Sequence, residues 1–221
     1  MGTAVFGLVG AGGFAREVMP LVRAQLVTSN DVPPSSVFFV ETDPRAAVVN
    51  GMPCISEADF FALPAAARHY NIAIGDSLVR QRIDEEWTAL GALPLTIRAA
   101  DATVLDEVSL GDTAILCGNT IITSNATIGR GFHSNLFSYV AHDCVIGDYV
   151  TFAPGVHCNG SVHIGDHAYL GTGAILRQGT PDKPLVIGAG ATVGMGAVVT
   201  KDVAPGETVV GNPARPLVRA T

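Results

Sequence analysis

Charge is scarce in this chain. Only 15% of its 221 residues are charged, and the formal balance is −7. Nucleic-acid binding usually needs a basic face, so the composition argues against that class while leaving room for a small phosphorylated ligand held by a few local cations. Long apolar runs are also missing: none approaches the length of a bilayer span, and no charged-then-apolar signal segment opens the sequence. The expectation is a soluble, cytoplasmic protein without membrane insertion. Paired cysteine motifs are absent as well. Cys54, Cys117, Cys144 and Cys158 show no CxxC spacing, which speaks against a disulfide framework or a zinc ribbon and for buried thiols. What abounds is apolar and small: 48% hydrophobic residues and 25 glycines, as in a turn-rich, well-buried protein with room for two small domains.

The first hundred residues alternate buried strands with helical patterns. "AVFGLVG" (Ala4–Gly10) reads as a strand and "AGGFAREVMPLVRAQ" as a glycine turn feeding a helix. "SVFFVET" (Ser36–Thr42) is a second strand, followed by a helix around Glu57–Arg68. The strand "YNIAIG" (Tyr70–Gly75), a helix around Ser77–Leu90 and a short strand near Leu95–Arg98 complete the set. Strand–helix–strand order marks a parallel sheet with crossover helices, here a small Rossmann-like α/β domain over residues 1–98.

From Val104 the period becomes six. Val104, Leu110, Leu116, Ile122, Ile128, Val140, Ile146, Ile164, Leu170 and Leu176 lie on one ladder, interrupted only by Ser134, Phe152 and Cys158. Glycine often follows a rung, and a small or β-branched residue stands four past it. Neither a helix nor a simple strand has this period. Each unit makes one short strand and one corner, so three units close a triangular coil of about eighteen residues. The phase breaks at "LRQGTPDKPLVIG", where a loop around Pro181–Pro184 bulges out, and resumes at Ile187, Val193 and Val199.

This pattern, with the closing "VVGNPARPL", resembles the hexapeptide-repeat acyltransferases, whose fold is a left-handed parallel β-helix; it covers residues 99–221. Within it, "YVAHDCVIGDYV" sets His142 beside Asp143, two and three past the Val140 rung, where neither is required inside. An outward histidine is a base near neutral pH, and an adjacent carboxylate can fix its tautomer. The string from His142 to Asp148, with "GAGGFAREV" and "GNPARPL", is similar to the bacterial sugar O/N-acyltransferases. These include the sialic acid O-acetyltransferases and the N-acetyltransferases for nucleotide-linked 4-amino-4,6-dideoxy sugars.

The resemblance implies a homotrimer using acetyl-CoA, with a nucleotide-linked amino sugar as acceptor and no metal. It makes His142 the general base, Asp143 its orienting acid and Asn135 a neighbour of the sugar. Gly160 stands eighteen residues past His142, so stacking brings its N–H close to the imidazole, where it could hold a thioester oxygen. At the position where some members place a second histidine near coenzyme A, this chain has Thr151; Phe14 likewise replaces a histidine of the glycine turn. That turn (Gly10, Gly12, Gly13) suits a diphosphate, and Glu41, Thr42 and Asp43 stand where acids read the base or ribose. Arg177, Lys201 and Arg215 are candidate cations for the coenzyme A phosphates.

Other readings stay open. One is sugar O-acetylation; another is a nicotinamide-dependent oxidoreductase built on the first domain; a third is a non-catalytic binding module. A zinc site like that of γ-class carbonic anhydrases would need stacked histidines, yet no two of His133, His157, His163 and His167 stand eighteen apart.

Overall fold

The computed structural model describes residues 3–29 and 32–217 and divides into two compact units, 1–100 and 101–221. The first contains β1 (Val5–Val9), α1 (Gly13–Ser29), β2 (Val37–Glu41), β3 (Val48–Val49), β4 (Met52–Ser56), α2 (Glu57–Ala62), β5 (Arg68–Ile72), α3 (Ser77–Ala89) and β6 (Leu93–Pro94). Its sheet runs β3-β4-β2-β1-β5-β6. All its pairings are parallel except β3 with β4. Every residue of β1 is buried, which accounts for its unbroken apolar reading.

Three elements differ from expectation. The helix from Glu57 ends at Ala62, because Pro64 disfavours a helical residue before it and Leu63 is extended (ψ 138°). The hairpin β3–β4 was not anticipated. It turns on Asn50-Gly51, both left-handed, the dipeptide that favours such turns. The strand expected near Leu95–Arg98 is two short pieces, β6 and a separate Ile97–Arg98.

Helix α3 buries charge. Arg80, 1% exposed, donates from Nη1 to the carbonyls of Ile74 and Gly75 at 3.0 Å each. Buried Asp84 accepts from the Tyr70 hydroxyl. The loop after β5 is thereby fixed from behind.

The second unit is a parallel β-helix with three faces, and its repeats fit the left-handed form. One face stacks strands at Ile115–Leu116, His133–Ser134, Thr151–Phe152, Tyr169–Leu170 and Thr192–Val193. The next stacks Ile121–Ile122, Tyr139–Val140, His157–Cys158, Ile175–Leu176 and Val198–Val199. The third stacks Ser109–Leu110, Thr127–Ile128, Val145–Ile146, Val162–Ile164 and Leu185–Ile187. Partners are eighteen residues apart, as in Ile121↔Tyr139 and Tyr139↔His157.

The residues that interrupt the ladder still point inward: Ser134, Phe152 and Cys158 are fully buried. Ser134 pairs directly with Phe152 on the next coil, so a small rung makes room for a large one. Three residues past most rungs the backbone turns left-handed, as at Thr113, Asn119, Asn125, Gly131, Phe137, Asp143, Tyr149, Gly155, Ser161, His167 and Gly173. That conformation costs an ordinary L-residue about 1–2 kcal/mol, which explains the Gly and Asn at several of these corners.

The recurring Gly-Asp pair has its own cause. Asp148 Oδ1 accepts the Arg130 N–H, and Asp166 Oδ1 the Asp148 N–H, each at 2.8 Å. A Cβ on Gly129 would lie 2.3 Å from the first carboxylate, and one on Gly147 2.2 Å from the second. Gly147→Ala is therefore expected to destabilise the chain by about 1–3 kcal/mol, read as a lower urea midpoint with an unchanged slope.

Candidate active site

His142 occupies the corner between the second and third faces, in a column with Ser124 and Gly160. The Asp143 N–H donates to Ser124 O (3.2 Å) and the Ser161 N–H to His142 O (3.0 Å), so the backbone on both sides is tied to neighbouring coils. The imidazole projects outward with its side chain 64% exposed. Asp143, in the left-handed corner (φ 60°), turns its carboxylate back onto the ring: His142 Nδ1 and Asp143 Oδ2 are 2.7 Å apart. A carboxylate can only accept, so Nδ1 carries the proton and the Nε2 lone pair is left for a substrate.

The ring leans over Gly160. A Cβ there would lie 2.5 Å from Cε1 and 2.6 Å from Nε2, so the imidazole occupies the space that any other residue would fill. Gly160 is buried. Its carbonyl accepts from Gly179 N–H at 2.9 Å, and among the described residues its own N–H donates to no group of the chain. A buried, unspent N–H beside a base is a donor awaiting an acceptor.

Behind the corner lie two thiols. Cys144 Sγ donates to the Asn159 carbonyl at 3.2 Å and lies 3.9 Å from Cys158 Sγ; both are fully buried. The hydrogen bond with Cys158 lowers the Cys144 pKa against the opposing effect of burial, and Val162 N–H and His142 lower it further. The same bond, together with burial, pushes Cys158 well above the usual thiol range. Either thiol could donate in that pair.

Asn135 gives its Nδ2 to Phe152 O (2.8 Å), leaving the side-chain oxygen for a ligand. Asn159, which the sequence reading did not single out, makes the equivalent bond to Leu176 O (2.7 Å) and accepts from Tyr139 OH at 2.8 Å. Its place eighteen past Ala141 was the available signal. Thr151 is buried, 7% exposed, which leaves little surface for a coenzyme contact.

Lys201 and Arg215 line one cavity of about 310 Å³. The acids beside them are committed to backbone: Asp202 accepts from Val186 N–H and Glu207 from Ala204 N–H. Both acids keep their charge, so two cations and two carboxylates line the cavity. Arg177 is exposed on the coil and is not part of its lining.

The N-terminal unit holds a cleft of about 660 Å³ at the carboxyl ends of β1, β2 and β5, where parallel sheets place ligands on either side of a change in strand order. Gly10 (φ 100°) makes the turn, while Cβ atoms on Gly12 and Gly13 would meet nothing within 4 Å. Their backbone is thus open to close approach. Glu41 lines the cleft and accepts from Ala11 N–H at 3.2 Å, and Thr42 lines it too; Asp43 does not. Phe14, Arg82 and Trp87 complete the wall. Trp87 is fixed by its Nε1–H to Glu57 (2.7 Å) and by stacking on Phe60. Arg82 and Trp87 were not legible, because helix α3 brings them to the cleft from a distant part of the chain. Among the described residues no cluster of three His, Cys, Asp or Glu could hold a metal ion, and no helix is long and apolar enough to cross a membrane.

No protein-family model matches the chain. It is 44% identical over 218 residues to a GDP-perosamine N-acetyltransferase of Escherichia coli O157:H7, covering 98% of this chain and 97% of that protein. Among solved structures, WeeI from Acinetobacter baumannii AYE superposes with a TM-score of 0.94 at 52% identity, covering 97% of this chain and all of that one. PerB from Caulobacter crescentus, in complex with CoA and GDP-perosamine, gives 0.84 at 26% identity over 97% of each chain.

Proposed function

This chain belongs to the nucleotide-sugar N-acetyltransferases of the hexapeptide-repeat acyltransferase family, and on that premise we propose that it moves the acetyl group of acetyl-CoA onto the 4-amino group of a GDP-linked 4-amino-4,6-dideoxy sugar. The observation that carries the reading is the corner itself: a base oriented by Asp143 at 2.7 Å, with its free nitrogen over the unspent N–H of Gly160.

The neutral amine attacks the thioester carbonyl, and the new C–N bond forms as His142 Nε2 takes the amine proton. The carbonyl oxygen gains charge and is held by Gly160 N–H. The C–S bond then breaks, and the proton passes to the departing thiolate. Asn135 contributes its amide oxygen to the sugar. Lys201 and Arg215 receive the coenzyme A phosphates, with Arg177 a more distant contributor.

The N-terminal unit acts as a Rossmann-like nucleotide-sugar domain. Gly10, Gly12 and Gly13 cradle the diphosphate, Glu41 and Thr42 face the nucleoside, and Trp87 and Phe14 offer it an apolar wall. The relatives' GDP-perosamine supports guanine as the base. A homotrimer is favoured by the apolar side chains left open on the flat faces of the coil, Ile121 at 43% and Val145 at 44%; a monomeric mass at micromolar concentration would oppose it. We place the reaction in the cytoplasm.

The test supplies acetyl-CoA with a GDP-linked 4-amino sugar, its dTDP and UDP counterparts, or a sialic acid, and follows free thiol. Rapid release with the GDP-linked amine alone is expected; preference for the hydroxyl acceptor would overturn the assignment of the amine. In the same assay, Lys201→Ala and Arg215→Ala should each raise KM for acetyl-CoA roughly 3- to 10-fold, as loss of one charge-assisted bond does. KM for the sugar should stay unchanged.

A further inference from the structure

The N–H assigned to the thioester oxygen and the carbonyl that accepts from Cys144 belong to one peptide group, Asn159–Gly160. We propose that Cys144 is a positioning residue for the transfer, which rests on the reading of Gly160 above: its S–H polarises the Asn159–Gly160 peptide and fixes its plane, so that the N–H on the opposite side meets the oxyanion as a stronger, aimed donor.

Four observations support this. The S···O separation is 3.2 Å, short for a thiol donor, and the sulfur is fully buried, so water does not compete for the carbonyl. Cys158 stands behind Cys144 at 3.9 Å, so the second thiol continues a row that runs from Cys144 to the Asn159 carbonyl and from Gly160 N–H to the substrate. Amide resonance transmits the pull, since charge drawn onto the carbonyl oxygen leaves the nitrogen more positive, and bonds in such a row strengthen one another. The Cys158 bond, which makes the Cys144 proton more acidic, also makes it a better donor. Finally, Cys144 lies two residues past His142 and touches the coil of Gly160, so one side chain ties the backbone of the base to that of the oxyanion donor.

A cysteine at a buried corner could instead serve only to fill space, since other corners of the ladder carry Ala126, Ser138 or Val162 in the same place. Cys144→Ala and Cys144→Ser separate the roles. Alanine removes the donor, and serine keeps one of similar size. Loss of one neutral hydrogen bond predicts kcat lower by roughly 3- to 10-fold for Cys144→Ala, with both KM values unchanged and recovery in Cys144→Ser. A merely structural role would move melting temperature and leave kcat in place.

The second readout is the infrared carbonyl stretch of ¹³C-acetyl-CoA bound to the trimer. In the unaltered protein the band should shift to lower wavenumber, and in Cys144→Ala part of that shift should be lost. No shift in the unaltered protein sinks the Gly160 assignment itself. A shift that survives intact in Cys144→Ala, or unchanged kcat in that variant, overturns the role of Cys144 while leaving Gly160 in place.

Discussion

Replacing His142 with alanine is expected to lower kcat by roughly 10²-fold or more while leaving KM for acetyl-CoA and for the acceptor within a few-fold of the parent values. The side chain is 64% exposed and rests only on the corner at Gly160, so the fold and both ligand sites should survive, with the melting temperature little changed. Asparagine at the same place sharpens the test. It can still meet the Asp143 carboxylate yet offers no basic nitrogen over Gly160, so it should be nearly as slow as alanine. Part of the loss should return at higher pH, where more of the sugar amine is already neutral. A binding module without chemistry would show none of this, and an oxidoreductase confined to the first unit would not notice the change. Undiminished turnover in His142→Ala would end the proton-transfer reading.

Gly160→Ala should cost a similar amount by a different route. The added methyl would lie 2.5 Å from Cε1, 2.6 Å from Nε2 and 3.0 Å from Nδ1 of His142, so the imidazole must swing off its corner, stretching or losing the 2.7 Å bond to Asp143. The base is then present but misplaced, and a displacement of this size in a positioned catalytic group costs on the order of 10²-fold. Because both changes remove the same positioned nitrogen, the double variant should be little slower than either single one. Additive losses in that cycle, each measured as kcat by thiol release, would show that Gly160 and His142 act independently.

How much of this could be read beforehand follows from what carries each feature. The coil was legible because backbone pairing repeats every eighteen residues, so spacing alone predicts that His142 stacks on Gly160; the structure places the ring over that glycine. The rung and corner residues were legible for the same reason. The hairpin over Val48–Ser56 was signalled only by Asn50-Gly51 between two short apolar stretches. The early end of α2 was set by a single proline. The cleft was half legible: Gly10, Gly12 and Gly13 announce a turn, whereas Arg82 and Trp87 reach it through helix packing that no local pattern records. Thr151 shows the converse limit. Its spacing from His142 was clear, but spacing does not say that the side chain is covered.

One detail of the coil bears on how such enzymes diversify. One coil past the corner that carries Gly160, the chain makes its long excursion through Pro181 and Pro184 before pairing resumes, Val162 with Leu185 and Tyr169 with Thr192. Partners are then twenty-three residues apart instead of eighteen, yet the hydrogen-bonded rows above and below continue without a slip. Residues can therefore be added or removed at this one vertex, two coils along from His142, while the prism beneath stays the same. The loop at this vertex can lengthen or shorten with little consequence for the scaffold, so the outer surface can change there without the fold having to be solved again.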